Sequence, residues 1–373
     1  MRRLSTLVVT CLAIACGNTS SVPAGSVGGG SDGGTNADAG GGTDAGTADA
    51  GAGEADGGST DGGAPDAGGG APVPLTAGES AVALALDDAN VYWAGFYRTP
   101  APNGHDTNIR YAIRGMPKSG AAPVITYVET AGGPRGAPVA DGAFVYWMNI
   151  PCASFPCEEP PVELHRARRA AGPVEDLARL SFNSARIDLD PSSIYVARYS
   201  AAMFGETGRI TRLSKAGGPE STIVSGENVR DVAVLADGLY WTTTDGVRKR
   251  DPDGNVGTLA SFPGGAERFK VDGNRIFLRA YSNDVVAVPR GGGEATVLWH
   301  APAGTLHDVD ANAGVVYWVQ DAGGGFGGCL GRANGDGTDA RCLDTAGVTY
   351  SAVRVDDTAV FFIRDGNVYR SSK

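Results

Sequence analysis

The chain has 373 residues, 20% of them charged, a formal net charge of −11 and six cysteines. That length allows two average domains or one large repeat domain. The acidic balance excludes the basic footprint of a nucleic-acid binder, so no nucleic acid is expected among the partners.

In chain order, residues 1–15 come first. "MRR" is a short basic start, and the twelve residues of "LSTLVVTCLAIA" form an apolar run too short to cross a bilayer as a helix. The run ends in Ala13-Ile14-Ala15 directly before Cys16, the pattern of a secretory signal peptide. Ala13-Ile14-Ala15-Cys16 resembles a bacterial lipobox, with Ala13 where Leu is usual. That resemblance implies cleavage before Cys16 and acylation there. An ordinary signal peptide cut nearby is the alternative.

Residues 16–71 form the second segment. From Gly17 to Gly70 the sequence is almost wholly Gly, Ala, Ser, Thr, Asp and Pro, with no aromatic residue, Lys or Arg. Such a composition cannot bury enough apolar surface to offset chain entropy and is expected to be disordered. As a Gly-rich coil its 54 residues span roughly 40 Å, which suits a tether holding a domain clear of a membrane. Setting aside Arg2 and Arg3 takes the net charge from −11 to −13. Setting aside the eight tether carboxylates then brings it to −5, so residues 72–373 are only mildly acidic.

From residue 72 onward one phrase recurs. "VALALDDANVYW", "PVADGAFVYW", "RIDLDPSSIYV", "DVAVLADGLYW", "RFKVDGNRIFL", "DVDANAGVVYW" and "AVRVDDTAVFF" each read as an alternating apolar strand, a tight Asp/Asn/Gly turn and a second strand carrying an aromatic. The anchors Tyr92, Tyr146, Tyr195, Tyr240, Phe277, Tyr317 and Phe361 are spaced by 54, 49, 45, 37, 40 and 44 residues. Stretches such as "RITRLSKAGGPESTIVSG" add a second hairpin to each unit. Four strands, A to D, at a period near 45 predict an all-β, seven-bladed β-propeller of four-stranded antiparallel blades. The last unit lacks its fourth strand. "PVPLTAGES" at 72–80 stands where every other unit has its D strand, so residues 73–77 are expected to pair beside residues 366–371 and close the ring. The Tyr-Trp dyads are expected in the core, one ring facing each neighbouring blade.

The Tyr-Trp phrase resembles YWTD-type and TolB-like propeller repeats and the bacterial lipoproteins that carry them. That resemblance implies the fold and brings no catalytic residue with it. It points to an extracytoplasmic, lipid-anchored envelope protein, periplasmic or surface-facing, expected at the outer membrane. The membrane would be touched through the N-terminal lipid only, and the domain is expected to be a monomer.

Cys11 leaves with the signal and Cys16 is the lipid site, so four cysteines remain. Local pairing gives Cys152–Cys157 and Cys329–Cys342 in an oxidising compartment. No CxxC pair supports a zinc site, and no cofactor is expected. "DPDGN" at 251–255 and "NGDGTD" at 334–339 mimic calcium loops but lack the bidentate Glu, and their residues are those that tight turns demand. GxSxG, HExxH and Walker patterns are absent.

Insertions at 96–108, 149–163, 199–208 and 321–328 crowd the B–C side of the ring. Aligned nine residues before each anchor, the A strands present Ala83, Ala137, Arg186, Asp231, Arg268, Asp308 and Ala352. Two places further in they present Ala85, Val139, Asp188, Ala233, Lys270, Asp310 and Arg354. Arg186, Asp231, Arg268 and Asp308, with His307 beside them, form a candidate ligand site at the mouth of the central channel. Inter-blade ion pairs are one reading of these charges. A site in which arginine grips a carboxylate or phosphate is the other. The expected role is a binding or interaction module for a protein, glycan or small molecule. A propeller enzyme of lactonase or lyase type is the alternative, with no acid–base pair or metal site to assign.

Overall fold

A computed structural model describes residues 70–373, apart from 101–106, 131, 152–160, 182–183, 201–206, 263, 302–303, 322–326 and 348. Cys16 and Cys152–Cys157 therefore lie outside the described residues, as does part of each predicted insertion. Every regular element among the described residues is a strand. The strands form seven separate antiparallel sheets, which are the seven blades of a β-propeller.

The first strand of each blade lines the channel: Ala81–Leu86, Ser184–Leu189, Asp231–Leu235, Ala266–Asp272, Leu306–Asn312 and Tyr350–Val355 in blades 1 and 3–7. Each meets the first strand of both neighbouring blades, so the ring is continuous. In blade 2 the inner strand is broken into Gly133–Pro134 and Val139–Ala140. Pro134 and Pro138 have no N–H for a continuous ladder, so Ala137 lies off the strand.

Seven apolar clusters fill the seven seams. The anchor position always packs toward the following blade and its neighbour toward the preceding one. Tyr92 packs with Val145 and Trp147 of blade 2, whereas Trp93 packs with Phe361 and Ile363 of blade 7. Tyr240 joins Ile276 and Leu278, while Trp241 joins Tyr195 and Ala197. The period-2 geometry of a strand forces this division. All four Tyr-Trp dyads are buried. Trp93 and Trp241 donate their indole N–H to Glu79 and Glu227, each fourteen residues upstream, and Arg114 and Arg248 pair with the same carboxylates at 2.9 Å. "TAGES" at 76–80 and "VSGEN" at 224–228 therefore occupy the same place in their units.

A second repeated device ties the blades together on the A–B turn side. The turn aspartate accepts N–H groups of its own turn, as Asp87 does from Ala89 and Asn90. It accepts the anchor hydroxyl, as from Tyr92 at 2.6 Å, and it pairs with a cation of the next blade. Arg169 holds Asp87, Lys215 holds Asp141, Arg290 holds Asp237, and Lys118 of blade 1 holds Asp356 of blade 7 at 2.6 Å. Burial opposes ionisation of Asp356, yet Lys118 and the turn N–H groups hold its pKa down at about 2.

The last blade contains Tyr350–Val355, Ala359–Arg364, Asn367–Ser372 and, outermost, Val73–Pro74 from the other end of the chain. Val73 stands opposite Arg370 and Pro74 opposite Tyr369. Leu75 donates to the Val368 carbonyl at 2.9 Å, and the Val368 N–H donates to Thr76 Oγ1 at 2.9 Å. The ring is thus closed by the predicted N-terminal strand. Cys329 and Cys342 form the predicted disulfide across the second hairpin of blade 6.

Candidate ligand site at the channel mouth

The A strands enter the ring at the side where the B–C loops lie. In blades 3, 5 and 6 the A–B ladder shifts register at this entry, between Ser184 and Arg186, Ala266 and Arg268, and Leu306 and Asp308. A bulge re-aims the residue that follows it. Here that residue is Arg186, Arg268 or Asp308. Asp231 opens the strand of blade 4 without a bulge. The intervening Ile187, Val232, Phe269 and Val309 turn into the seams.

The inner strand is the edge of its sheet, so its channel-facing N–H groups have no partner strand. Carboxylates of the preceding blade satisfy several of them. Asp188 accepts from Val234 at 2.7 Å, and Asp310 accepts from Val355 at 2.9 Å. Asp308 is 3% exposed and carries the most partners: Arg354 Nη1 at 2.6 Å, Arg268 Nε at 3.9 Å and the Val353 N–H at 3.4 Å. Burial alone would raise its pKa, but Arg354 and then Arg268 outweigh burial and lower it. Lys270 lies 3.6 Å from Asp310. One side of the ring is therefore an ion-pair network, the first of the two readings.

Arg186 differs. Among the described residues it has no carboxylate at ion-pair distance, and its Nε is buried without a hydrogen-bond partner. Its Nη1 donates to the adjacent Ala185 carbonyl at 2.8 Å. Burial, then the like charge of Arg268, push its pKa down to about 9, against the pull of Asp231 and Asp308. The group is still charged at neutral pH. Asp231 caps the Val232 N–H at 3.0 Å, and burial raises its pKa despite Arg268 and Arg186. The structure thus gathers Arg186, Asp231, Arg268 and Asp308 round one mouth. His307 is at the same rim, with its Nε2 2.6 Å from Asp321 Oδ2.

Strand alignment missed three neighbours. Arg135 donates from Nε to the Ser184 carbonyl at 3.0 Å and from Nη2 to the Tyr199 hydroxyl at 2.9 Å. Arg230 lies with its guanidinium carbon 5.9 Å from the centre of the Tyr199 ring. Arg279 pairs with Glu267 and donates to the His307 carbonyl. Arg135 sits in the break of blade 2's inner strand and Arg230 just before the inner strand of blade 4, both outside the aligned positions. The signal was the cation directly preceding Asp231.

Among the described residues no three His, Cys, Asp or Glu side chains gather closely enough to hold a metal ion. In the calcium-like turns the side chains serve the turns themselves. Asp251 accepts the Asn255 N–H and Nδ2, and Asp336 accepts the Thr338 N–H and hydroxyl.

Deeper in the channel, burial raises the Asp188 pKa to about 6 from 3.8, although the N–H groups of Val234 and Leu189 favour the anion. A raised folded-state pKa means that the folded state holds the proton more tightly. This contribution to stability is complete below pH 3.8 and is lost as pH rises through about 6. The penalty at neutral pH is about 3 kcal/mol before water in the bore screens it. Asp188→Asn keeps an acceptor for Val234 and removes the charge. The variant should melt higher than the parent at pH 7 and lose that advantage by pH 4. A gap that stays constant across that range would contradict this assignment.

No protein-family model matches the sequence, and no curated protein matches it. The fold is similar to that of the computationally designed Ika8 protein, with a TM-score of 0.54 at 12% identity over 80% of this chain and 98% of that one. Pyrococcus horikoshii acylaminoacyl peptidase is similar over 78% of this chain and 52% of its own, with a TM-score of 0.50 at 10% identity. BamB from Moraxella catarrhalis gives a TM-score of 0.49 at 13% identity, over 78% of this chain and 82% of that one. At these identities the likeness is one of fold.

Proposed function

We propose that this chain is a lipid-anchored protein of the cell envelope whose propeller is a binding module, taking a ligand with an anionic group at the channel mouth. The anchor rests on the basic start, the short apolar run and Cys16, with a Gly/Ala/Asp-rich tether between them and the ring. The binding role rests on one observation: Arg186 lies in the channel wall beside a second arginine and, among the described residues, without a carboxylate at ion-pair distance. A guanidinium held in a low-dielectric setting is a strong, two-pronged grip for a carboxylate or phosphate. Arg268 is nearby but is shared with Asp308, so Arg186 is the main anchor. The channel mouth and its few convergent polar groups are what a site requires.

Two measurements test the two halves of this reading. Cys16→Ser should move the protein from the membrane to the soluble fraction, and persistence in the membrane would remove the anchor. Arg186→Gln should weaken acetate or phosphate binding, measured calorimetrically at low salt, by about tenfold or more, while the melting temperature moves little. Equal anion affinities in parent and variant would remove the binding role.

A further inference from the structure

Arg230 sets the second half of the mouth. It immediately precedes the inner strand of blade 4, next to the blade that carries Arg186. Like Arg186, it has no carboxylate at ion-pair distance among the described residues, and its Nε is buried without a hydrogen-bond partner. Tyr199, just past the end of the second strand of blade 3, is the ring it approaches. Arg135 fixes that ring through its hydroxyl and is itself anchored on Ser184, two residues before Arg186. The loop bearing Arg135 also presses on Arg186. A Cβ at Gly136, where φ is +83°, would stand 2.7 Å from Arg186 Nη1. Arg186, Gly136, Arg135, Tyr199 and Arg230 are thus one contiguous surface drawn from blades 2, 3 and 4.

That surface is costly without a counter-ion. Like charges near one another in a restricted dielectric repel. Six other arginines are handled differently. Arg114, Arg166, Arg248, Arg290, Arg354 and Arg364 each meet a carboxylate. Residues 72–373 carry an excess of acidic groups, so partners are not scarce. Two guanidinium groups with no carboxylate at ion-pair distance among the described residues, Arg230 feeling only the more distant charge of Glu267, form a preorganised pair of oxyanion grips.

We infer that the mouth holds two anionic groups of one ligand, the first at Arg186 and the second at Arg230, with Tyr199 as the fixed wall beside them. This rests on the anion-binding reading above and narrows it to doubly anionic ligands: two carboxylates or two phosphates on one short scaffold. Linking two grips makes the second contact intramolecular, so affinity should rise sharply between single and double anions.

The test titrates the full-length chain at low salt with acetate, succinate, inorganic phosphate and pyrophosphate. Succinate should bind about tenfold or more tightly than acetate, or pyrophosphate than phosphate, and the pair that shows the gain identifies the ligand's chemistry. Arg230→Gln should bring that ratio below about two, and Arg230→Lys should restore part of it, since a point charge remains without the fork. The lysine variant also serves if the glutamine variant fails to fold. A gain that survives both substitutions overturns the inference. So does the absence of any gain while single anions still bind in an Arg186-dependent way, and in that case the single-anion reading stands. If the parent binds none of the four, both fall.

Discussion

Deleting residues 72–78 should convert the closed ring into an associating one. The deletion removes Val73–Pro74 from blade 7, together with the Leu75 and Thr76 bonds to Val368. Asn367–Ser372 then becomes the outer strand, with a row of unpaired backbone groups, and exposed edges template pairing with other chains. Leu75 also packs on the blade 1–7 cluster, so that seam loses apolar contact. Light scattering should show species larger than those of the intact chain. The melting temperature should fall by at least about 3 °C, as expected for the loss of roughly 2 kcal/mol or more from a domain of this size. A deletion variant with unchanged mass and melting temperature would show that the strand is dispensable.

Asp308→Ala is the second large effect. It strands Arg354 and Arg268 in the channel wall and leaves the Val309 and Val353 N–H groups short of an acceptor. Removing one partner of a buried ion pair costs about 3–5 kcal/mol, because the remaining charge stays behind. Denaturant unfolding should report a loss in that range. Asp308→Asn, which keeps an acceptor, should lose less. Asp308→Leu combined with Arg354→Met should recover much of the difference, since replacing both ions leaves neither uncompensated. A loss under about 1 kcal/mol for the alanine variant would mean that water in the bore already screens the pair.

Much of this architecture is legible in the sequence because a propeller repeats one local rule seven times. The anchor aromatics gave the blade number, and strand alternation placed Tyr92 and Trp93 in opposite seams. The missing last strand implied a partner in "PVPLTAGES", which does pair with the chain end. Counting nine residues back from each anchor also found the channel-facing charges. What strand counting could not show was who pairs with whom. Asp308 meets Arg354 most closely, and that residue lies one layer deeper on the next blade, so side-chain reach and stagger decided the partner. The arginines of the connections were missed for a related reason. Arg135 and Arg230 have no fixed phase relative to an anchor, and bulges make the phase at strand entry ambiguous. The break at Ala137 was foreshadowed by Pro134 and Pro138, whose effect on a ladder outweighs the repeat.

The placing of Gly70 has a mechanical consequence. Its N–H bonds Ser372 Oγ at 2.7 Å, beside the chain end, and Lys373 there reaches Asn312 in the A–B turn of blade 6. The chain thus enters the propeller on the face opposite the channel mouth. Any pull on the sequence upstream of Gly70 reaches the ring first through the short closing strand. Tension along that strand loads its few backbone bonds together, whereas tension away from the rim peels them singly. Under force applied upstream of Gly70, blade 7 should yield before any other.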